Sequence, residues 1–322
     1  MGHMLLLDRG STLRALVYHR ITERGPEDDA LTHPAGCVSP ALFEKQLEHL
    51  ARFYSPVSAD ELLAALAGRH QLPRRAVLVT FDDGYRDFQG VAWPILKRYG
   101  IPAVLFVPTA FPGDPERVFW WDALWQMLAR TRRDRVVAGF TIVLPTSAED
   151  RVVTHGTLSS WLKALTPSAR AAALRELEQQ LGVRPEPTRA VLSWKELRLL
   201  SNDGVTVAAH SRTHELLDQI SDRALAEEIE GSRDDLVREL GSCPPLFAYP
   251  NGNLDRRTLD ALRAARFVAG FTVAHGVNHL GSADPRLLRR DQGDVSMFRF
   301  GLHLLGPIAV MRARRHPFPS RS

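Results

Sequence analysis

The chain has 322 residues, of which 44% are hydrophobic and 24% charged, enough apolar side chain to bury a large core. Its two cysteines, Cys37 and Cys243, have no metal-type spacing and exclude a disulfide-built scaffold. The formal charge of +4 and isoelectric point near 9.3 come from arginine, much of it late in the chain. This reads as a solvated basic surface, and no aromatic-interleaved basic stripe points to nucleic acid.

Met1-Gly2-His3 before Met4 reads as a cloning remnant and is set aside. Met4-Leu5-Leu6-Leu7 is too short for the apolar core of a signal peptide, and no run is long enough to span a bilayer. The expectation is a cytoplasmic protein, or one associated with the cytoplasmic face of a membrane. Leu13 to Tyr18 predicts a first strand, with His19 at its end. Ser39-Pro40 opens a helix on which Phe43, Leu47 and Leu50 share a face. Ser58-Ala59-Asp60-Glu61 is a capping box that starts a second helix, closed by Gly68. The apolar run Ala76-Val77-Leu78-Val79 predicts a buried strand into Thr80, and a helix to Tyr99 and a strand from Ala103 to Val107 follow.

Beyond Pro112 the pattern changes. Residues 113–188 hold Phe119-Trp120-Trp121-Asp122, an amphipathic segment to Arg130 and an Ala/Leu/Glu-rich helix near Ser168 to Leu181. They read as a largely helical insert between two parts of one barrel, 4–112 and 189–300. Alternation resumes with a capping box at Ser193-Trp194-Lys195-Glu196 and the strand Val205 to Ala209. A long helix from Asp222 to Leu240 comes next, then strands at Leu246 to Tyr249, Val268 to Val273 and Leu287 to Arg290. About seven strands alternating with helices predict an α/β fold, a distorted (β/α)7 barrel one strand short of eight. Residues 301–322 form a basic tail. Phe300 to Met311, followed by Arg312-Ala313-Arg314-Arg315, reads as a terminal helix packed on the barrel, with a peripheral membrane contact as the other reading.

Functional side chains of such barrels gather at the C-terminal strand ends. Asp82 and Asp83 stand at one such end, and two adjacent buried carboxylates need a compensating partner. His210 and His214 follow another strand, at a spacing that places both rings on one face of a helical turn. Asp83, His210 and His214 make three ligands with a fourth position open, the count of a catalytic zinc site. Asp82, beside the metal but not bound to it, would take a proton from water. In Phe247-Ala248-Tyr249-Pro250-Asn251-Gly252, Tyr249 ends a strand before a forced turn. Its amide is thereby a candidate oxyanion donor. Trp120, Trp121 and Trp125 suit either a sugar-stacking platform or the core of the insert.

Thr80-Phe81-Asp82-Asp83-Gly84, His210-Ser211-x-x-His214 and Phe247-Ala248-Tyr249-Pro250-x-Gly252, in this order, resemble the polysaccharide deacetylase (NodB-homology) family. Leu16-Val17-Tyr18-His19-Arg20-Ile21 and Phe43-Glu44-x-Gln46-Leu47 resemble its longer bacterial members. The resemblance implies a divalent metal, most often Zn2+, with Co2+ or Ni2+ as substitutes. It also implies hydrolysis of N-acetyl groups on hexosamine-containing glycans. Asp82 would be the base, Asp83, His210 and His214 the ligands, and Tyr249 the oxyanion donor. Two positions depart from the family. Ala248 stands where an arginine usually orients the base, and Arg289 or Arg290, with Arg290 favoured, takes its place. The usual general acid lies in a Leu-x-His motif that Leu302-His303 does not match in spacing. His275 or His279, after the strand ending at Val273, is better placed, and His275 is taken as the candidate. His19, Asn251, Tyr249 and Trp121 are the candidate substrate contacts. An O-acetyl esterase or other C–N hydrolase using the same residues, and an inactive glycan-binding barrel, are the competing readings.

Overall fold

A computed structural model describes residues 12–23, 33, 36–139, 141–144, 147–282, 284–293 and 296–304. The Met1-Gly2-His3 start, the tail from residue 305 onward and the membrane contact expected there lie outside the described residues.

Six strands lie side by side and parallel, in the order Ala269–Phe271, Leu246–Ala248, Thr206–Ala209, Ala103–Val107, Ala76–Phe81 and Thr12–Tyr18. The seventh, Asp291–Gln292, pairs in parallel with Leu16 and Val17. Just before it, Leu288 bridges in parallel to Phe271. The segment 288–292 therefore runs from one edge of the sheet back to the other. The fold is α/β, a distorted barrel closed through this irregular stretch. Ser55–Pro56 and Asn278–His279 add short pairings at its N-terminal rim. The last strand was expected at Leu287 to Arg290. Instead Pro285–Leu287 forms a tight turn, held by the Asp284 side chain accepting from the Arg286 amide; Leu288 makes a single bridge, and the strand that pairs with Thr12–Tyr18 starts at Asp291.

Strands covered on both faces read as continuous apolar runs, and every residue of Ala76–Phe81 is buried. Alternate residues divide two cores. Leu13, Ala15, Leu78, Val104, Phe106, Ala208 and Phe271 fill one. Leu16, Val77, Val79, Phe81, Leu105 and Val107 pack with Leu47, Leu197 and Ile229 in the other. Those three come from helices Pro40–Phe53, Trp194–Asn202 and Asp222–Leu240. Their starts follow from the sequence. Ser39 Oγ accepts from the Leu42 amide, and Ser193 and Glu196 cap reciprocally, as do Ser58 and Glu61. Gly241 ends the long helix at φ +79°, in the left-handed region open to glycine.

Between strand Ala103–Val107 and helix Trp194–Asn202 come helices Trp120–Arg130, Ala148–Lys163 and Pro167–Leu181 and the antiparallel pair Arg135–Val137 and Thr141–Val143. Leu124, Leu128, Val136, Leu158, Leu162 and Leu177 close a core of their own there. Trp125 is fully buried. Among the described residues no helix is long and apolar enough to cross a membrane.

Candidate active site

The Asp82-Asp83 pair follows strand Ala76–Phe81 and splits at a sharp turn. Asp83 sits at φ +72° and Gly84 at φ +68°, so the two carboxylates take different directions. A Cβ at Gly84 would come within 3.2 Å of Val107 Cγ1 and Cγ2, so the close packing as well as the angle requires glycine.

Asp82 meets Arg290. The guanidinium donates from Nη1 to Oδ1 and from Nη2 to Oδ2, both at 2.7 Å. Arg290 is itself fully buried, held by Nε donating to the Thr272 carbonyl (3.0 Å) and Nη1 to Thr80 Oγ1 (3.2 Å). The rings of Phe106 and Phe271 lie 5.7 and 5.9 Å from its Cζ. Two parallel charged bonds fix the carboxylate plane as well as its charge. Burial alone would raise the Asp82 carboxyl; Arg290, joined by His210, outweighs it and leaves Asp82 below its usual value. Arg289, the alternative, donates instead to the His275 carbonyl.

Asp83 meets the two histidines. Its Oδ1 is 3.5 Å from His210 Nε2 and 3.3 Å from His214 Nε2, and it is buried without a hydrogen bond. Three ligand atoms at tetrahedral zinc distances would lie roughly 3.4 Å apart. The spacing, the unsatisfied oxygen and the donor set all fit a divalent ion, with one corner left open. His210 Nδ1 lies 2.8 Å from the Ala248 carbonyl, which can only accept. Nδ1 therefore carries the proton, and the Nε2 lone pair faces Asp83. Burial pushes His210 down to about 4, so the ring is uncharged at neutral pH, as a ligand must be.

The expected helical turn between the histidines is absent. Residues 210–214 form an irregular loop in which Ser211 and His214 have φ of +59° and +63°. Ser211 Oγ accepts from the His214 amide. Glu228, from helix Asp222–Leu240, accepts from the Arg212 and Thr213 amides at 2.8 Å and from Thr213 Oγ1. These bonds, and not helical periodicity, bring the rings to 4.8 Å between centroids.

These groups floor a cavity of about 260 Å³. His19, Asn251 and Trp121 line it, as do Trp120, His155, Ser159 and Lys163. Trp121 stacks on Phe119 at 4.4 Å, meets His214 edge-on at 4.7 Å and donates from Nε1 to Tyr85 Oη. Tyr85 in turn donates to Asp122, whose carboxyl burial pushes up to about 7. His155 donates from Nε2 to the Trp121 carbonyl (2.8 Å), and its ring stacks on His33 at 3.7 Å. Lys163, His155, Ser159 and His33 carry no motif that marks them in the sequence.

Two assigned residues stand elsewhere. The Tyr249 amide donates to the Phe271 carbonyl (3.1 Å), continuing the sheet ladder by one residue. Its ring is fully buried with Oη donating to the Arg286 carbonyl, so neither an oxyanion role nor a substrate contact is open to it. His275 does not line the cavity; its Nδ1 is 3.1 Å from Asp291 Oδ1 and its ring 5.5 Å from that of His303.

The polysaccharide deacetylase family model matches residues 69–140 and 152–270, more than half of the chain and all three motifs. The chain belongs to this family. A polysaccharide deacetylase of Escherichia coli, the poly-β-1,6-N-acetyl-D-glucosamine N-deacetylase, is 30% identical over 135 residues, which cover 38% of this chain and 19% of that one. The protein of the same description from Staphylococcus epidermidis is 27% identical over 117 residues, 34% of this chain and 40% of that one. The match thus spans well under half the length of either relative. In fold the resemblance is wider. The Streptococcus pyogenes deacetylase PplD superposes with a TM-score of 0.61 at 21% identity, over 92% of this chain and 99% of that one. IcaB from Ammonifex degensii gives 0.57 at 21% identity, over 94% and 97%. The family supplies a frame for the cavity: a barrel whose mouth is lined on one side by Trp120, Trp121, His155, Ser159 and Lys163.

Proposed function

We propose that this polysaccharide deacetylase removes N-acetyl groups from an N-acetylhexosamine-containing glycan or glycan intermediate, with a divalent ion, best matched by zinc, held by Asp83, His210 and His214. The observation that carries the reading is the pairing, in one cavity, of a three-ligand cluster with a carboxylate that is not a ligand and is braced by a buried arginine. A structural metal site has no use for the second carboxylate. The curated relatives named as N-acetylglucosamine polymer deacetylases support the substrate class.

When bound, such an ion supplies Lewis acidity, polarising the acetamide carbonyl and making a water molecule easier to deprotonate. The chain supplies the rest. Asp82 Oδ2, the oxygen nearer His210 Nε2 (3.9 Å), accepts the water proton. Its depressed pKa keeps it ionised at neutral pH, and Arg290 holds its direction. Negative charge then develops on the acetamide oxygen. Asn251 lines the cavity at φ +55°, and its amide makes no hydrogen bond to another described residue. The oxyanion role passes to it from Tyr249. The departing amine needs a proton. His19 lines the cavity, lies close enough to Asp82 and Asp83 to act on both charges, and has a buried Nδ1 without a hydrogen bond. His19 therefore replaces His275 as the proton donor. Trp121 offers a ring face at the mouth for a sugar.

Acetate release from zinc-loaded protein, screened over N-acetylated oligosaccharides with and without a chelator, tests the reading. Release that the chelator stops and zinc restores supports it, and no release from any N-acetylhexosamine glycan contradicts it. His19→Gln is expected to lower kcat by roughly 10²-fold. His275→Gln should leave it within about twofold, since it touches nothing in the cavity. The reverse order in the same assay would return the acid role to His275. Arg290→Met removes the strongest of the groups that lower Asp82 and leaves burial opposed by His210 and His19 alone. Ionised Asp82 is lost as pH falls through its folded pKa, so the acid limb of kcat/KM should move to higher pH. An unmoved limb would mean that Asp82 is not the group titrating there.

A further inference from the structure

Lys163 is a cation without a counter-ion. It ends helix Ala148–Lys163 and reaches across the cavity mouth, where Nζ donates to Asn251 Oδ1 at 2.6 Å. No carboxylate among the described residues pairs with it. An ammonium has three donors, and only one is used within the described chain. It is half-buried, and burial lowers its pKa with no opposing acid nearby. Three other partly buried cations are each matched by an acid: Arg20 by Asp87, Arg170 by Glu215, and Arg257 by Asp222 and Asp255. Leaving a charge partly desolvated and unmatched costs free energy unless a ligand completes it.

The charges of the cavity make the same case. Asp82 is neutralised by Arg290, and Asp83 would be more than neutralised by a divalent ion. His33 and His155 are pushed by burial to about 3 and about 4 and contribute no charge at neutral pH. What remains is positive, and Lys163 is the part of it that faces the mouth. A neutral N-acetylglucosamine polymer would leave this cation unanswered.

We infer that the substrate carries an oxyanion, a phosphate or a carboxylate, next to the N-acetylated sugar, and that Lys163 reads it. The inference rests on the deacetylase reading above and narrows its substrate. The aromatic wall of Trp120 and Trp121 holds the sugar, and the Lys163 ammonium is released from Asn251 Oδ1 to meet the anion. Lys163 thus selects among substrates for a reaction whose chemistry lies deeper in the cavity.

Two measurements test this separately from the deacetylase reading. Zinc-loaded protein is assayed for acetate release from N-acetylglucosamine 1-phosphate, a glucuronyl-N-acetylglucosamine disaccharide and neutral diacetylchitobiose. The ratio of kcat/KM for the better anionic sugar over the neutral one should be tenfold or more. Lys163→Met should lower that ratio at least tenfold and Lys163→Arg should largely keep it. Preference for the phosphate or for the glucuronyl sugar identifies the source of the anion. The Asp82→Asn protein, chosen because its turnover should be slow, is then titrated by calorimetry with N-acetylglucosamine 1-phosphate and with N-acetylglucosamine. Tighter binding of the phosphate that disappears in Asp82→Asn/Lys163→Met supports the inference even if no acetate is released from any sugar. A wild-type ratio near one, or a ratio and a binding preference that Lys163→Met leaves unchanged, overturns it.

Discussion

Asp82→Asn should lower kcat by roughly 10²–10⁴-fold while zinc content stays at the wild-type level. The substitution keeps the shape of the side chain and one acceptor for Arg290, and it removes the site that takes the proton. Asp82 does not belong to the ligand cluster of Asp83, His210 and His214, so the ion has no direct stake in the change. The fold does have one. Arg290 is fully buried against Asp82, and breaking such a pair costs about 3–5 kcal/mol. The melting temperature must therefore be recorded with the metal content. A folded, zinc-loaded and inactive Asp82→Asn protein separates proton transfer from metal binding. A folded variant with wild-type turnover would place the base elsewhere.

His214→Ala should show the opposite pattern, losing metal and activity together. It removes one of three ligands, and its ring is less deeply buried than that of His210, so the fold should tolerate the loss. The remaining pair, Asp83 and His210, has lost its third corner, and turnover should fall to background even in added zinc. Metal analysis after desalting reads the first effect and acetate release the second. Stoichiometric zinc retained by His214→Ala would mean that His214 is not a ligand. The two variants together distinguish a base beside an ion from a cluster of four equivalent ligands.

Much of this site was legible because its parts obey local rules. Buried strands ending in charged residues, capping serines and the glycine after Asp83 announce themselves in any sequence. What was not legible has physical causes. Helix Ala148–Lys163 buries Thr154, His155, Leu158, Ser159 and Leu162, an inward face at helical spacing. Three of those five are polar: His155 and Ser159 line the cavity and Thr154 donates to the Asp150 carbonyl, while Val153 is exposed. Apolar periodicity therefore vanishes where the helix is functional, and Lys163 vanished with it. Tyr249 stands two residues short of the proposed oxyanion donor, Asn251, since Pro250 between them has no N–H. The sheet ladder takes its amide and releases that of Asn251, a boundary no propensity resolves. The spacing of His210 and His214 suggested convergence for the wrong reason. Two left-handed residues and Glu228, some distance along the chain, do what a helical turn was expected to do. Arg290 could be named because it lies near a strand end, but its bidentate hold on Asp82 depends on closure of the barrel through the irregular segment before Asp291.

Every role above requires one ion shared by Asp83, His210 and His214, with Asp82 beside it and unbound. Anomalous diffraction at the zinc absorption edge, from crystals of the zinc-loaded protein, tests this most directly. The expected result is a single strong peak about 2.0–2.2 Å from Asp83 Oδ1, His210 Nε2 and His214 Nε2, with Asp82 still bound to Arg290. A zinc-loaded crystal with no peak among these atoms, or with Asp82 drawn off Arg290 into the coordination sphere, would contradict it.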